Sequence, residues 1–99
     1  MTQTVVITGA SAGIARATAI QFAARGAKVA LLARGHAGLE AAAKDVQSAG
    51  GTPLVIPTDV ADAEQVERAA ERVEAELGPI DVWVNGLRGR PAAQPVGAP

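Results

Sequence analysis

Residues 8–15 combine glycines, a serine and the start of a helical pattern, an arrangement suited to binding phosphate. They read Thr-Gly-Ala-Ser-Ala-Gly-Ile-Ala and follow a β-branched run at residues 4–7. Gly9 can adopt the positive φ of a tight turn, and Gly13 lets a ligand approach the backbone. The free N–H groups and the dipole of the following helix favour an anion. The spacing therefore predicts a phosphate site, and a tight turn without a ligand is the less favoured alternative.

Alternating apolar patterns predict the strands and helices that position this turn. Short apolar runs typical of buried strands occur at residues 4–7, 27–33, 53–57 and 80–84. Apolar residues recur at helical spacing within residues 14–24, 39–46 and 66–77. Asp62 is the predicted N-cap of the third helix. Because strands and helices alternate, we expect an α/β fold with parallel strands joined by right-handed crossovers. In the topology of half a Rossmann-type doubly wound sheet, which has the strand order 3-2-1-4, two helices would cover one face and the third helix the other.

Composition restricts the chain to one small domain and removes several kinds of chemistry. The 99 residues include no cysteine, which excludes disulfides, thiolate nucleophiles and cysteine metal sites. The formal net charge is −1, with acids and bases interleaved, so we expect no nucleic-acid partner. Because the sequence has no signal-peptide pattern and no apolar run near the ~20 residues of a bilayer span, we expect no membrane association and a cytoplasmic location.

The composition changes after residue 85. Residues 86–99 contain three prolines and no periodic apolar pattern, so we predict a domain at residues 1–85 and a disordered tail at residues 86–99. With one helix on its second face, the sheet would expose an apolar patch there and leave the fourth strand as an open edge. We therefore expect marginal stability and a tendency to self-associate.

Three segments of the chain, in the same order along the sequence, resemble the short-chain dehydrogenase/reductase family. The turn at residues 8–14 has the family's TGxxxGI form, Asp59 and Val60 follow the third strand, and residues 81–85 read Asp-Val-Trp-Val-Asn at the fourth. The resemblance covers residues 1–85 and implies an oxidoreductase with a nicotinamide dinucleotide cofactor. Within the turn it implies cofactor contacts from Gly9, Ser11, Ala12, Gly13 and Ile14.

The chain departs from the family pattern at several positions. Ala15 replaces a third glycine that allows close packing of helix on strand, and we expect its one additional methyl group to cost little. After Asn85 the family's NNAG segment is not continued. The resemblance places the catalytic serine and Tyr-x-x-x-Lys motif beyond this segment, whereas this chain has no tyrosine and its serines are Ser11 and Ser48. We therefore expect this chain to lack the complete catalytic site.

Arg34 follows the second predicted strand, where the adenosine ribose of a dinucleotide would lie. Ala33 stands where an acidic residue would bind the ribose 2′-hydroxyl. A guanidinium binds phosphate through charge-assisted hydrogen bonds worth about 1.5–3 kcal/mol. We therefore expect Arg34 to bind a 2′-phosphate, which favours NADP over NAD, and a solvated turn residue is the alternative. Arg16 is either a second charge near that phosphate or a surface residue.

Asp59, Val60 and Asn85 are the other candidate cofactor residues. The resemblance implies that Asp59 accepts a hydrogen bond from the adenine amino group and that Val60 contributes backbone contacts. Capping of the third helix is an equally favoured alternative for Asp59. Asn85 resembles the first asparagine of the NNAG segment, which stabilises the central sheet and borders the cofactor. His36 is predicted to be an exposed turn residue, and Trp83 a core residue.

Two functions remain open at this stage. The first is the NADP(H)-binding N-terminal part of a short-chain dehydrogenase/reductase, active only with the missing catalytic half. The second is a non-catalytic module that binds a nucleotide or another protein.

Overall fold

The computed structural model describes residues 2–9 and 13–85, together with the backbone of residues 92–95. Its strands are β1 (Thr4–Thr8), β2 (Lys28–Ala33), β3 (Thr52–Pro57), β4 (Val82–Asn85) and β5 (Ala92–Pro95). Its helices are α1 (Gly13–Ala23), α2 (His36–Ala49) and α3 (Ala63–Glu76), and each connects two successive strands. The predicted alternation of strands and helices is confirmed, with boundaries that differ by a few residues.

The strands form one sheet in the order β3-β2-β1-β4-β5, and β1 to β4 are parallel. The predicted order 3-2-1-4 is therefore confirmed. All five residues of β1 are buried, because the strand has a neighbour on each side and helices lie on both faces of the sheet.

Alternate residues of the central strands feed two separate apolar clusters. Val5 and Ile7 join one cluster with buried side chains of α1 and α2, whereas Val6 joins a second cluster with α3. The first two helices thus cover one face and the third covers the other, as predicted. The fully buried residues of α1 are alanines, which allow the helix to approach the strands closely, and Phe22 packs against the same cluster from a half-buried position.

The face covered by α3 is less exposed than the sequence indicates. The large apolar side chains that pack around its buried cluster are half-buried, namely Leu54, Leu77, Ile80 and Trp83. Among the described residues, Ile14 is the large hydrophobic side chain that is exposed, with 52% of its surface accessible. The prediction of an extended apolar patch on this face is therefore not supported by the described residues.

The outer side of β4, which the sequence predicts to be open, is paired with β5. The predicted tail thus contributes a strand, contrary to the prediction. Residues 92–95 run antiparallel to β4, with Val82 opposite Pro95 and Asn85 opposite Ala92. The unpaired N–H and C=O groups of a sheet edge can accept any extended segment that returns to it, and proline is tolerated on an outermost strand. Residues 86–91 and 96–99 of the predicted tail lie outside the described residues.

Candidate functional site at the carboxyl ends of the parallel strands

The parallel sheet brings the segments that the sequence singles out to one edge. Gly9 follows β1, Arg34 follows β2, Asp59 lies two residues after β3, and Asn85 ends β4. Backbone hydrogen bonds tie these ends together, since the Gly9 N–H donates to the Leu32 carbonyl at 2.8 Å. In open α/β sheets, ligands bind in the crevice outside the carboxyl ends of the strands. The four segments therefore share the edge at which a ligand is expected.

The two glycines on either side of the segment between β1 and α1 have the positive φ that the sequence predicts for Gly9 and allows for Gly13. Gly9 and Gly13 both have φ of 67°, a left-handed conformation that favours glycine. A Cβ at Gly13 would meet no atom within 4 Å, so space is open beside the backbone. The first turn of α1 contains no acidic residue, and Ile14 within that turn is exposed. The predicted site residues Ser11 and Ala12 lie outside the described residues.

Ala15 belongs to the packing between α1 and the sheet. Only 2% of its surface is exposed, and it joins the apolar cluster on the face covered by α1 and α2. Its methyl group therefore contributes to the core.

Arg34 and His36 flank Gly35, the N-cap of α2. Arg34 is exposed and makes no ion pair with any residue that the structure describes, while the preceding Ala33 is buried. His36 is exposed as predicted, but it is the first residue of α2 and not a turn residue. Its Nδ1 lies 3.5 Å from Oε1 of Glu40, one helical turn along.

Arg16 joins α1 to α2. Its Nε donates to Oδ2 of Asp45 at 2.7 Å, and its Nη2 lies 2.5 Å from the same oxygen. Of the two alternatives for Arg16, this ion pair favours the surface role, because the guanidinium is already engaged by a carboxylate.

The loop after β3 holds Asp59 through three hydrogen bonds. Asp59 Oδ1 accepts from the Ala61 N–H at 3.0 Å, its own N–H donates to Gln65 Oε1 at 2.8 Å, and its carbonyl accepts from the Asp62 N–H at 3.0 Å. The N-cap of α3 is Asp62, whose carboxylate accepts from the backbone N–H groups of Glu64 and Gln65. The prediction of Asp62 as the cap is thus confirmed, and the alternative that Asp59 caps α3 is wrong. Val60 is half-buried.

Asn85 connects β4 to β1. Its Oδ1 accepts from Thr8 Oγ1 at 3.3 Å and from Trp83 Nε1 at 3.0 Å. Trp83 is half-buried against the α3 cluster, which agrees with its predicted place in the core. The sequence analysis did not predict Thr8 and Trp83 as the partners of Asn85. Strand alternation could have indicated the contact with Trp83, because it places residues 83 and 85 on the same face of the sheet.

The sequence model of the short chain dehydrogenase family matches residues 3–94. This chain belongs to the short-chain dehydrogenase family. A curated relative, a short chain dehydrogenase of Pseudocercospora fijiensis, is 36% identical over 83 residues, which are 84% of this chain and 27% of that protein.

Two solved structures show the same similarity in three dimensions. The alcohol dehydrogenase of the archaeon Thermococcus sibiricus, complexed with 5-hydroxy-NADP, is 37% identical with a TM-score of 0.78, and the match covers 84% of this chain and 36% of that one. The L-sorbose reductase of Gluconobacter frateurii, complexed with NADPH and L-sorbose, is 36% identical with a TM-score of 0.77, and the match covers 83% and 32% of the two chains. This short-chain dehydrogenase sequence therefore spans about a third or less of the relatives that it matches.

A separate pocket of about 220 Å³ lies between the end of β3 and α3. Its lining consists of Ile56, Pro57, Thr58, Gln65, Arg68, Ala69 and Arg72. The two arginines are already paired, Arg68 with Glu64 at 3.7 Å and Arg72 with Glu76 at 2.5 Å. This pocket therefore shares no residue with the glycine turn.

No helix in the described part of the chain is long and apolar enough to cross a membrane.

Proposed function

We propose that this chain is the NADP(H)-binding N-terminal part of an oxidoreductase of the short-chain dehydrogenase family. The observation that carries the proposal is the turn between β1 and α1, where Gly9 and Gly13 share a φ of 67° and Gly13 has open space beside it. Such a turn allows a pyrophosphate to reach the backbone N–H groups at the start of α1.

The described residues at this edge fit a dinucleotide by their chemistry. Gly9, Gly13 and Ile14 would hold the pyrophosphate and the neighbouring ribose, together with Ser11 and Ala12, which lie outside the described residues. Asp59 and Val60 would bind the adenine, with Asp59 held in place by the Ala61 and Gln65 hydrogen bonds. Asn85 would border the cofactor while it bridges β1 and β4. When bound, the nicotinamide ring of this cofactor supplies or accepts a hydride.

We infer a preference for NADP over NAD from Arg34 and Ala33. Arg34 is exposed and has no ion-pair partner among the described residues, so its guanidinium is available to a 2′-phosphate. Ala33 offers no carboxylate to the 2′-hydroxyl of NAD. Two solved relatives were complexed with NADPH and with 5-hydroxy-NADP, which supports the same preference.

Catalytic turnover, in this proposal, requires residues that this sequence does not contain. The sequence has no tyrosine, and Ser11 belongs to the proposed phosphate turn while Ser48 lies near the end of α2. The family membership favours an oxidoreductase over the alternative of a non-catalytic module. A cytoplasmic location is part of the proposal, since the sequence has no cysteine and therefore no disulfide that would require an oxidising compartment.

The test is a titration of the Arg34→Ala variant with NADPH and, separately, with NADH, followed by nicotinamide fluorescence. Loss of a charge-assisted contact with phosphate predicts NADPH affinity about ten- to a hundredfold weaker, with NADH affinity changed less than about twofold. Arg25→Ala is the matched control, because Arg25 is also exposed but follows the end of α1, away from the glycine turn. Equal losses for both cofactors in Arg34→Ala would contradict the assignment of NADP.

A further inference from the structure

The strand β3 is the outermost strand on one side of the sheet, so one side of its backbone faces away from β2. The hydrogen bonds at its two ends show which residues face inward. The Thr52 N–H donates to the Ala27 carbonyl at 3.1 Å. Just beyond the other end, the Thr58 N–H donates to the Ala33 carbonyl at 2.8 Å. Because the N–H groups of a strand point alternately to its two sides, the even-numbered residues of β3 face β2 and the odd-numbered residues face outward.

Two of the three outward residues of β3 are prolines. Pro53 and Pro57 have no backbone N–H group, and Val55 between them supplies the remaining outward N–H of the strand. A strand that paired with this edge would therefore leave two of its own carbonyl groups without a donor. The edge of β3 offers such a neighbour one donor where a strand of this length without proline would offer three.

The N–H groups that follow the same alternation beyond the two ends of β3 are engaged within the chain. The Gly51 N–H donates to the Val46 carbonyl at 3.0 Å, near the end of α2. The Asp59 N–H donates to Oε1 of Gln65 at 2.8 Å. In this segment, which the structure describes throughout, Val55 thus carries the one outward N–H that is neither removed by proline nor bound by another group.

The other side of the parallel sheet provides a contrast within the same molecule. The strand β4 contains no proline, and residues 92–95 pair with it as an antiparallel strand. Among the described strands, β3 pairs with β2 alone. The edge that keeps its N–H groups therefore accepts a further strand, whereas the edge that has lost two of them does not.

We propose that Pro53 and Pro57 close the outer edge of β3 to strand addition, so that a second copy of this chain cannot extend the sheet there. An unprotected edge strand is a template for pairing with another chain, and proline on the edge is one of the devices that prevents it. The inference concerns how copies of this chain meet, and it does not depend on cofactor binding.

The experiment replaces both prolines by threonine, which restores the two N–H groups with a residue that suits strands. The added hydrogen bonds predict a self-association constant at least about tenfold higher for Pro53→Thr/Pro57→Thr than for the unmodified chain, measured by sedimentation velocity. Pro79→Thr is the matched control, because Pro79 is exposed and lies between α3 and β4, in neither element. This control should leave the self-association constant unchanged.

Two further measurements keep the test independent of the double variant. Pro57→Thr alone changes an exposed residue and should raise the self-association constant about two- to tenfold. Urea denaturation identifies the variants that are folded when association is measured. In the unmodified monomer, the amide of Val55 should exchange with solvent rapidly and those of Leu54 and Ile56 slowly, because the latter two face β2.

Each outcome supports or overturns the closure of this edge. If the folded proline-to-threonine variants of β3 associate no more strongly than the unmodified chain, the role of the prolines is overturned. An equal rise in Pro79→Thr would also overturn it, because the effect would then not depend on the strand edge. A slowly exchanging Val55 amide in the unmodified monomer would contradict the outward position of that group.

Discussion

Arg16 and Arg34 carry the same charge but differ in their contacts, and we propose different roles for them. Arg34 extends from the end of β2 without an ion-pair partner among the described residues, whereas Arg16 is bound to Asp45 across the contact between α1 and α2. A guanidinium that already binds a carboxylate must give up that pair before it can bind a phosphate. The sequence placed both residues near the same end of the sheet but contained no signal for the pairing of Arg16 with Asp45.

Arg16→Gln tests the structural role of this ion pair. Both side chains are about a third exposed, at 35% and 38%, so we expect the free energy of unfolding to fall by about 0.5–1 kcal/mol, near the upper end for a surface pair. Urea denaturation measures this change, and Asp45→Asn should cause a similar loss. The ratio of NADH to NADPH dissociation constants should stay the same. A selective loss of NADPH affinity in Arg16→Gln would instead place Arg16 at the phosphate.

At the scale of elements, the connection between α2 and β3 packs against the end of α1. A Cβ at Gly51 would lie 2.8 Å from Ala23 Cβ and 2.8 Å from the Ala27 carbonyl oxygen, closer than real contacts allow. The preceding Gly50 ends α2 with φ of 108°. Glycine is therefore favoured at the two positions for different reasons. Gly50 adopts a left-handed backbone conformation, and Gly51 leaves room for α1.

Gly51→Ala should lower the free energy of unfolding by about 1–3 kcal/mol, the usual cost of overpacking a fixed contact. Gly35→Ala is the matched control, because Gly35 has φ of −80° and a Cβ there would meet nothing within 4 Å. Because alanine is a poorer N-cap than glycine, we expect that control to lower stability by up to about 0.5–1 kcal/mol, less than Gly51→Ala. Urea denaturation of both variants measures the difference, and similar values for the two would show that the contact at Gly51 relaxes without cost.

The elements themselves were largely predictable, because apolar periodicity and glycine positions are local properties of the sequence. The distribution of helices over the two faces followed from right-handed crossovers combined with the strand order 3-2-1-4 of half a Rossmann-type sheet. Contacts between elements were not predictable in the same way. The bonds from Thr8 and Trp83 to Asn85 depend on the register of β4 against β1. Likewise, the pairing of β5 with β4 depends on where a segment without periodic pattern returns.

At the scale of the whole molecule, the two faces of the sheet are covered unequally. Two helices pack on one face, whereas α3 alone covers the other and leaves Leu54, Leu77, Ile80 and Trp83 half-buried. The chain also spans about a third or less of the relatives it matches. We propose that these half-buried side chains, although they form no extended exposed patch among the described residues, make the isolated chain marginally stable and inclined to self-associate.

Sedimentation velocity over a range of protein concentrations tests this proposal. We expect the average mass to rise with concentration, and the Trp83 fluorescence to shift to shorter wavelength as the indole loses contact with water. A monomer at every concentration, combined with a sharp unfolding transition, would refute the proposed self-association and marginal stability.

The central claim is that a dinucleotide binds at the carboxyl edge of the parallel strands. An NMR titration of the isotopically labelled chain with NADP⁺, monitoring the backbone amide signals, tests it most directly. The account predicts saturable shifts for the amides of Gly9, Gly13 and Arg34, with little change at the opposite sheet edge near Gly78. No saturable shift, or shifts confined to the pocket lined by Gln65 and Arg68, would contradict it.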